Sequence, residues 1–507
     1  MEPGSFFAEK KWQLFLVLAL LFAAGLAVRL YDLTDLPLDF HPTRQLHSAL
    51  MARGMYYQSA PQPIPDWQRE MAVKQWKLEA IIEPPFMEWL TAQTYRLIGS
   101  ADLWVARLYS ILFWMTGGIG LFLLARRMAG ADGAVFGLAY YLILPFAVIA
   151  SRSFQPDPLM TTLIVFSFWA ALHWQDKPGW RRAVLAGGLS ALAILCKAVA
   201  AFFVGGAWLG LILLDIGLRN ALRNRWLWLI SVLAALPYGI YHFYGIYVSG
   251  FLVPQLSGRF FPKLWFSPAF YLGWTTKIES TVGLGWVLMA ILGSFVICGR
   301  SSRALVLGGW LGYTVYSVVL PHHTMTHDYY QLPLVVLVAL GISGTFSGIA
   351  RHLKGPRPLL LVIVHFVLVT GVALKGYQAY STLKKVDYRG EVAFWQMLGD
   401  KVGHDTRVTA LTPDYGTRLA YWGWVIPNNW PSLADLKYQG LDQISDFASF
   451  LNSQTEGRDY FLITMLDELE RQPQLKELLT AWYPVADQGP GYIIFNTRNP
   501  LPSAEGY

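Results

Sequence analysis

The sequence predicts a polytopic α-helical membrane protein that carries a mixed α/β domain at its C-terminal end. The chain has 507 residues, of which 54% are hydrophobic and 14% are charged, whereas soluble globular proteins contain about 25% charged residues. Apolar stretches of about 20 residues, long enough to cross a bilayer as a helix, recur throughout residues 12–376. Shorter alternating and amphipathic runs follow in residues 377–507 and are typical of a globular domain.

Eleven apolar windows predict eleven transmembrane helices, with ends placed to within a few residues. The first window follows Lys10-Lys11 and has no clear small-residue cleavage site, so it predicts a retained helix and not a signal peptide. The predicted spans are residues 12–30, 103–125, 131–150, 157–174, 183–199, 200–217, 226–246, 283–299, 304–320, 329–349 and 358–376.

Basic residues in the short loops predict the orientation of these helices. If the N-terminus is cytoplasmic, every second loop should be rich in Lys and Arg by the positive-inside rule. All five such loops fit, and the opposite loops are less basic for their length. An odd number of helices then places the tail outside the cytoplasm. The basic loop residues are Arg126 and Arg127, then Lys177, Arg181 and Arg182, then Arg219, Arg223 and Arg225, then Arg300 and Arg303, then Arg351, Lys354 and Arg357.

Three segments on the predicted outer side are too long to be simple connectors, and long connections are frequently functional. They are residues 31–102, 247–282 and 377–507. Within the first, residues 43–57 and 86–98 predict helices that lie along the membrane surface. In the tail, the predicted helices are 388–402 and 466–482, and the predicted strands are 407–411, 419–424, 459–464 and 491–496.

A first cluster of ionisable residues follows the first helix and contains Asp39, His41 and Arg44. Pro42 favours an extended conformation for His41, and residues two apart in an extended segment face the same side. Asp39 and His41 would then form a carboxylate–imidazole dyad or supply two metal ligands. Pro42 also suits the first turn of a helix that would carry Arg44, so a loop-to-helix cap with solvated charges explains the same pattern.

A second cluster lies in the short loop from Ser151 to Pro158. Asp157 stands between two prolines at the start of a membrane helix, where the helix dipole favours a carboxylate. Arg152 on the same loop offers a cation to an anionic ligand. Ionisable groups at a membrane face cost free energy and indicate function, although simple helix capping also accounts for Asp157.

Further polar residues gather on the same predicted side. Glu83 precedes a Pro-Pro pair at the end of the first outer segment, and the loop from Pro321 to Pro333 holds three histidines and an aspartate. That loop suits a phosphate or a metal, but its spacing matches no closed zinc site. Lys197 and Arg259 add positive charge, and each by itself also fits an interfacial residue.

Other function classes find little support in the sequence. A Walker loop, a Rossmann glycine fingerprint and a nucleophile elbow are all missing from a supporting context, which argues against ATP-driven pumps and serine hydrolases. The net charge of +7 sits mostly in short loops where topology explains it, so it does not indicate a nucleic-acid partner.

Taken together, these motifs resemble those of the GT-C glycosyltransferases, in particular the family of protein O-mannosyltransferases and lipid A aminoarabinose transferases. That family has an acidic motif after the first helix, a Pro-Pro segment that opens a surface helix, an Arg-x-x-x-Pro-Asp-like segment and a late Tyr-x-Leu-Pro-type motif. The segments that resemble them are 39–45, 83–85, 152–158 and 329–333, and the resemblance covers most of residues 12–376. In a departure from the family, the acidic pair aligns with His41 and Pro42, so the carboxylate role would fall to Asp39. Glu83 stands where the family often has Lys or His.

The resemblance implies an enzyme that takes a sugar from a polyprenyl phosphate and passes it to a protein, lipid or glycan acceptor outside the cytoplasm, with inversion. Asp39 is then the predicted general base, His41 its partner and Asp157 a second catalytic carboxylate. The same three residues would be the ligands if a divalent metal, Mg or Mn, takes part, and a metal-free reaction fits equally well. The predicted substrate-binding residues are Arg44, Glu83, Arg152, Lys197, Arg259, His323, His327, Tyr329 and Tyr330.

The resulting prediction divides the chain into a transmembrane catalytic domain, residues 1–376, and an extracytoplasmic domain, residues 377–507, in the inner or plasma membrane. Two other functions remain open. A lipid transporter or flippase would also need many helices, but transporters tend to show repeated halves and broken helices near the midplane, and no internal repeat is evident. A non-catalytic subunit of an envelope assembly complex would tolerate alanine at Asp39 and Asp157.

Overall fold

The computed structural model describes residues 7, 11–255, 260–352, 358–441 and 446–502. The chain divides into two compact units. We call the first the helical unit, which comprises Met1–Thr34, Ala80–Met87 and Trp104–Val386. We call the second the mixed unit, which comprises Asp35–Glu79, Glu88–Leu103 and Asp387–Tyr507. Most of the long segment 31–102 is therefore grouped with the C-terminal tail.

Apolar helices make up the helical unit. In the described part of this unit, two helices continue as π-helical segments, Ile212–Ile216 and Tyr244–Val248. The 3₁₀ turns described there are Val253–Gln255, Pro262–Phe266 and Asp328–Gln331. The α-helices are Lys11–Leu30, Trp104–Ile143, Pro145–Ala150, Asp157–Asp176, Trp180–Cys196, Ala200–Leu211, Leu218–Arg223, Arg225–Phe243, Pro268–Thr281, Leu284–Val296, Arg300–Val319, Pro321–Thr326, Leu334–His352 and Pro358–Lys384.

Within the described residues, five helices are long and apolar enough to cross a membrane. They are Lys11–Leu30, Trp104–Ile143, Arg225–Val248, Asp328–Arg351 and Val362–Lys384. The pair Pro268–Thr281 and Leu284–Val296, bent by 88°, makes a sixth if it counts as one span. Other predicted spans coincide with helices that are shorter or more polar, such as the 17-residue helix Trp180–Cys196. The number eleven therefore stays a prediction.

The longest helix corresponds to two predicted spans, 103–125 and 131–150. Trp104–Ile143 has 40 residues, or about 60 Å at about 1.5 Å per residue, which is twice the thickness of a bilayer core of about 30 Å. Gly130 breaks it with a φ of 71°, a conformation that glycine adopts at little cost. The predicted end at residue 150 is wrong, because Pro145 starts a separate six-residue helix.

Glycines let two helices of this unit pack backbone to backbone. A Cβ atom added at Gly206 would lie 2.5 Å from the carbonyl oxygen of Gly308 and 2.6 Å from the Cα of Gly312. Small residues at four-residue spacing allow this close approach between membrane helices. The helices Ala200–Leu211 and Arg300–Val319 therefore have a fixed and short separation.

The mixed unit contains a five-stranded sheet with helices around it. The strands are β1 Val408–Leu411, β2 Pro427–Asn429, β3 Tyr460–Ile463, β4 Val485–Gly489 and β5 Tyr492–Asn496. Their order is β2-β1-β3-β5-β4; β1 is parallel to β2 and β3, and β5 is antiparallel to β3 and β4. The helices are Pro42–Tyr57, Asp66–Leu78, Phe86–Ile98 from Glu88 onward, Glu391–Val402, Thr417–Trp422, Leu433–Gln439, Phe447–Thr455, Leu466–Glu470 and Pro473–Trp482, with a 3₁₀ turn at Pro413–Gly416.

Most predicted elements of this unit are confirmed within one to three residues: the helices 43–57, 86–98 and 388–402 and the strands 407–411, 459–464 and 491–496. The predicted strand 419–424 is wrong, because Thr417–Trp422 is helical. Its residues from Leu419 to Trp422 are all buried, and a short apolar run that is buried on every side has no periodicity that separates strand from helix. The predicted helix 466–482 is split before Pro473.

A buried arginine fixes part of the mixed unit. The Arg53 guanidinium lies 4.2 Å from the Tyr421 ring centroid and 3.9 Å from the Trp424 ring centroid. It donates hydrogen bonds to the carbonyls of Ala420 and Tyr421 and to Gln75 Oε1, the last at 2.7 Å. Carbonyls at a helix end have no intrahelical partner, so Arg53 satisfies the end of Thr417–Trp422.

Candidate functional site

The central feature of the candidate site is a buried ion pair in the helical unit. Asp157 begins the helix Asp157–Asp176, and Lys197 directly follows the helix Trp180–Cys196. Lys197 Nζ donates to both carboxylate oxygens of Asp157 at 2.9 Å. The exposed fraction of the two side chains is only 3% for Asp157 and 6% for Lys197. Burial of two charges is tolerated when they are paired and hydrogen-bonded, so each holds the other in place.

Aromatic rings surround the lysine. Lys197 Nζ lies 4.8 Å from the Tyr329 ring centroid and 5.2 Å from that of Tyr330. The His323 ring is 5.2 Å from the Tyr330 ring, and the His327 ring is 5.6 Å from the Tyr329 ring. The fold thus brings together six of the residues predicted from sequence, which come from three separate segments of the chain.

Two buried arginines lie on the loop and helix that precede this pair. Arg152 donates from Nη2 to the carbonyl of Asp32 at 2.9 Å. Arg29, fully buried, donates to Ser151 Oγ at 2.8 Å and to the carbonyls of Gly25 and Leu142. Among the described residues no carboxylate pairs with Arg29, and its Nη2 has no hydrogen-bond partner.

Arg29 is a candidate residue that the reading of the sequence missed. It falls inside the predicted span 12–30, near its end, and is absent from the functional residues predicted from sequence. The signal was present, because an ionisable residue inside a membrane segment indicates function by default.

The structure corrects the predicted geometry of Asp39 and His41, which belong to the mixed unit. His41 has a φ of 46° and a ψ of 65°, which is left-handed and not extended. It caps the helix Pro42–Tyr57 by its backbone, so the argument that the two side chains face one side does not hold. Burial raises the pKa of Tyr388, and the nearby Asp39 carboxylate raises it further. Asp39 therefore lies close to that phenol.

The other predicted residues are placed as follows. Arg44 lies in the first turn of the helix Pro42–Tyr57, as predicted, and also belongs to the mixed unit. Glu83 belongs to the segment Ala80–Met87 of the helical unit. Arg259 lies outside the described residues.

The donor atoms present do not fit the metal site that was predicted from Asp39, His41 and Asp157. In the ranges that the structure describes, no three His, Cys, Asp or Glu residues form a group that could hold a metal ion. Asp157 instead directs both carboxylate oxygens to Lys197. Mg or Mn therefore remains a hypothesis from sequence alone.

The helical unit also contains an apolar cavity of about 290 Å³. Aromatic and aliphatic side chains line it, and Lys375 is the one charged residue among the lining positions. Such a lining matches the interior of a lipid-chain site, since ligand pockets are lined mainly by hydrophobic side chains with few polar groups. The lining residues are Phe136, Ala139, Tyr140, Ile143, Leu144, Trp286, Ile342, Phe346, Val367, Leu368, Gly371, Val372 and Lys375.

Comparison of the sequence with known families finds one match, most of which lies in the helical unit. A family model described as dolichyl-phosphate-mannose-protein mannosyltransferase matches residues 82–241. That range contains Glu83, Arg152, Asp157 and Lys197. No curated protein sequence matches the chain.

Several solved structures are similar to the chain over most of its length. ArnT from Cupriavidus metallidurans in the apo state matches with a TM-score of 0.58 at 15% identity, over 95% of this chain and 97% of that one. The same protein bound to undecaprenyl phosphate gives 0.57 at 16%, over 96% and 98%. The oligosaccharyltransferase AglB from Archaeoglobus fulgidus, in complex with an inhibitory peptide and a dolichol-phosphate, gives 0.53 at 10%, over 99% and 77%. With its apolar helices, this fold makes the chain a multi-pass membrane protein.

Proposed function

Because this chain has the fold of the GT-C glycosyltransferase superfamily, we propose that it moves a sugar from a polyprenyl-phosphate-linked donor to an acceptor outside the cytoplasm. The observation that carries the proposal is the buried Asp157–Lys197 pair beside Tyr329 and Tyr330. Both residues of the ion pair lie in the segment that the mannosyltransferase family model matches. Undecaprenyl phosphate and dolichol-phosphate bound to two of the similar proteins support the choice of donor.

Lys197 is the group assigned to the donor phosphate. An ammonium has three N–H donors, and the bonds that Lys197 makes within the described residues are the two to Asp157. The third is available to a phosphate oxygen, where a fixed positive charge stabilises the leaving group as the bond to the sugar breaks. Arg29 and Arg152 add positive charge in the same unit.

The acceptor is activated by a carboxylate in this proposal. Asp39 takes the proton from the acceptor hydroxyl or amine while the oxygen or nitrogen of that group forms a bond to the anomeric carbon. The bond from the anomeric carbon to the phosphate oxygen breaks in the same step, and polyprenyl phosphate leaves. One displacement of this kind inverts the anomeric carbon. His41 and Arg44 are assigned to the acceptor side of the reaction, and no step uses a metal.

The proposed topology follows from the loop charges. Eleven spans with a cytoplasmic N-terminus in the inner or plasma membrane place residues 377–507 outside, as an extracytoplasmic domain next to the acceptor. The acceptor is a protein, a lipid or a glycan.

The direct test of the function is transfer of a labelled sugar from polyprenyl phosphate by the purified protein. We expect transfer by the wild type, and we expect Asp39→Asn to lower kcat by about 10²-fold or more, the usual range for a lost general base. Asp400→Asn serves as the control, since that side chain is 75% exposed, and should transfer normally. A wild type that moves intact lipid across vesicles but transfers no sugar from a broad donor panel is a transporter, and the proposal fails.

The apolar cavity is assigned to part of the polyprenyl chain. A Cβ at Gly371 meets no described atom within 4 Å, so Gly371→Phe should fold normally and narrow the cavity. We expect the KM for a long-chain donor to rise roughly tenfold, which is the loss of burial of about two methylene groups. The KM for a short-chain donor should not change. Gly188→Phe, on another helix where a Cβ also meets open space, is the matched control. An equal rise in KM for both donors would show that the cavity does not bind the polyprenyl chain.

A further inference from the structure

Gln155 lies two residues before Asp157 and is completely buried. Neither its Oε1 nor its Nε2 has a hydrogen-bond partner among the described residues. The next residue, Pro156, accepts a hydrogen bond from Cys196 at 3.4 Å through its carbonyl, and Cys196 precedes Lys197. Gln155 is therefore next to a residue whose backbone is hydrogen-bonded to the neighbour of Lys197.

An unpartnered buried amide costs folding free energy, and the great majority of buried polar groups in proteins are satisfied. The same unit shows what a satisfied glutamine looks like. Gln331 is equally buried, but its Oε1 accepts from the Tyr313 hydroxyl at 2.7 Å and its Nε2 donates to the Thr324 carbonyl at 3.0 Å. The fold can therefore satisfy a buried amide, and the state of Gln155 requires a specific explanation.

A second unpartnered group lies on the other side of Asp157. Thr161, one helical turn further along, is completely buried and its Oγ1 has no partner within the described ranges. The neighbouring Thr162, by contrast, donates to the Phe113 carbonyl at 2.7 Å. Two independent polar groups next to the ion pair thus retain their hydrogen-bonding capacity, which is the pattern of a site that binds a polar ligand.

The chemistry of the amide limits what that ligand is. An amide has an acceptor oxygen and two N–H donors, so both ends of Gln155 are satisfied only by a group that donates and accepts. A phosphate that has lost its protons only accepts, and it already has Lys197. Sugar hydroxyls do both.

On the basis of the function proposed above, we propose that Gln155 is a specificity-determining residue that hydrogen-bonds hydroxyl groups of the donor sugar, with Thr161 beside it. The site thus separates two tasks. Lys197 binds the phosphate that all donors share, and Gln155 distinguishes one sugar from another. A site that pairs with a hydroxyl discriminates strongly against an analogue that lacks it, because the protein group is then left buried and unpaired.

The test compares Gln155→Met with Gln331→Met, two changes of identical chemistry and similar volume. If Gln155 serves the ligand, Gln155→Met should have an unchanged or higher melting temperature in the absence of donor, because the variant loses an unsatisfied group. Gln331→Met should melt at a lower temperature, because it removes two hydrogen bonds. A Gln155→Met variant that melts as low as Gln331→Met would show that the amide has a structural partner, such as a permanently bound water, and would overturn the inference.

Ligand binding provides the second readout. We expect Gln155→Met to bind sugar-free polyprenyl phosphate within about twofold of the wild type, and to raise the KM for the glycosylated donor by about tenfold or more. A donor whose sugar lacks the contacted hydroxyl should bind the wild type more weakly than the complete donor does. Gln155→Met should bind both donors with the same affinity, since the two changes remove the same contact.

The failure of this inference is distinguishable from that of the proposed function. If the wild type transfers sugar and Gln155→Met transfers with an unchanged KM and the same preference among sugars, only the role of Gln155 is wrong. If the wild type neither transfers nor binds a glycosylated donor, the proposed function is wrong and this inference falls with it.

Discussion

Asp157→Asn and Lys197→Met are each expected to abolish sugar transfer and to lower the free energy of unfolding by about 3–5 kcal/mol. Either change leaves one buried charge without its partner, which is the costly way to break a buried ion pair. Activity should fall below detection in both variants. Lys197→Met removes the fixed charge that faces the phosphate, and Asp157→Asn removes the carboxylate that holds the Lys197 ammonium in position. Transfer assays and thermal unfolding with and without polyprenyl phosphate measure the two effects.

Two controls separate the structural effect from the chemical one. The exposed pair Arg127–Asp176, at 2.6 Å, should contribute less than about 1 kcal/mol, so Asp176→Asn should remain stable and active. The double variant Asp157→Asn/Lys197→Met removes both charges and should recover most of the stability while staying inactive. A double variant that transfers sugar would show that the pair only supports the fold.

Arg53→Met is expected to destabilise the mixed unit by about 3 kcal/mol or more. Each buried acceptor left unsatisfied costs about 1–3 kcal/mol, and Arg53 donates to the Tyr421 carbonyl and to Gln75 Oε1. The Ala420 carbonyl loses one of its two donors and keeps Gln75 Nε2 at 2.8 Å. Two cation–π contacts are lost in addition. Hydrogen exchange should become faster in the helices Asp66–Leu78 and Thr417–Trp422 and stay slow in the strands.

The control for this prediction is Arg471→Met in the same unit. Arg471 is 70% exposed and its nearest acid is 3.8 Å away, so its loss should change stability by no more than about 0.5 kcal/mol. The stability of Arg53→Lys should lie between those of the wild type and Arg53→Met, because an ammonium lacks the planar guanidinium group that stacks on rings and donates hydrogen bonds at the same time. An Arg53→Met protein with the exchange pattern of the wild type would contradict the assigned role.

The pairing of Asp157 with Lys197 shows what sequence can predict about this site. Both residues were predicted as functional, but they were assigned separately. The two helices that carry them are joined by the short connector 177–179, and a short connector makes antiparallel neighbours. The start of the first helix and the end of the second then lie side by side, so this contact was predictable from loop length.

Other contacts had no such local signal. Tyr329 and Tyr330 lie beside Lys197, and the preceding helix Arg300–Val319 packs on Ala200–Leu211 through glycines. The sequence does not say which glycines face each other. The left-handed His41 is a similar case. The rule for a residue before proline disfavours the right-handed helical region. It does not distinguish the extended conformation from the left-handed one that His41 adopts in the folded protein.

The division of the mixed unit along the chain has a consequence for biosynthesis. Its early pieces, Asp35–Glu79 and Glu88–Leu103, are separated by about 280 residues from the piece that starts at Asp387. At about 5–20 residues per second, Arg53 and Gln75 are synthesised roughly 17–74 s before Ala420 and Tyr421. The helices that carry Arg53 and Gln75 must therefore stay soluble without these hydrogen-bond partners while the intervening helices are inserted. A tail fragment expressed from residue 387 onward would lack Arg53 altogether, and supplying residues 35–103 as a second polypeptide is the direct way to complete it.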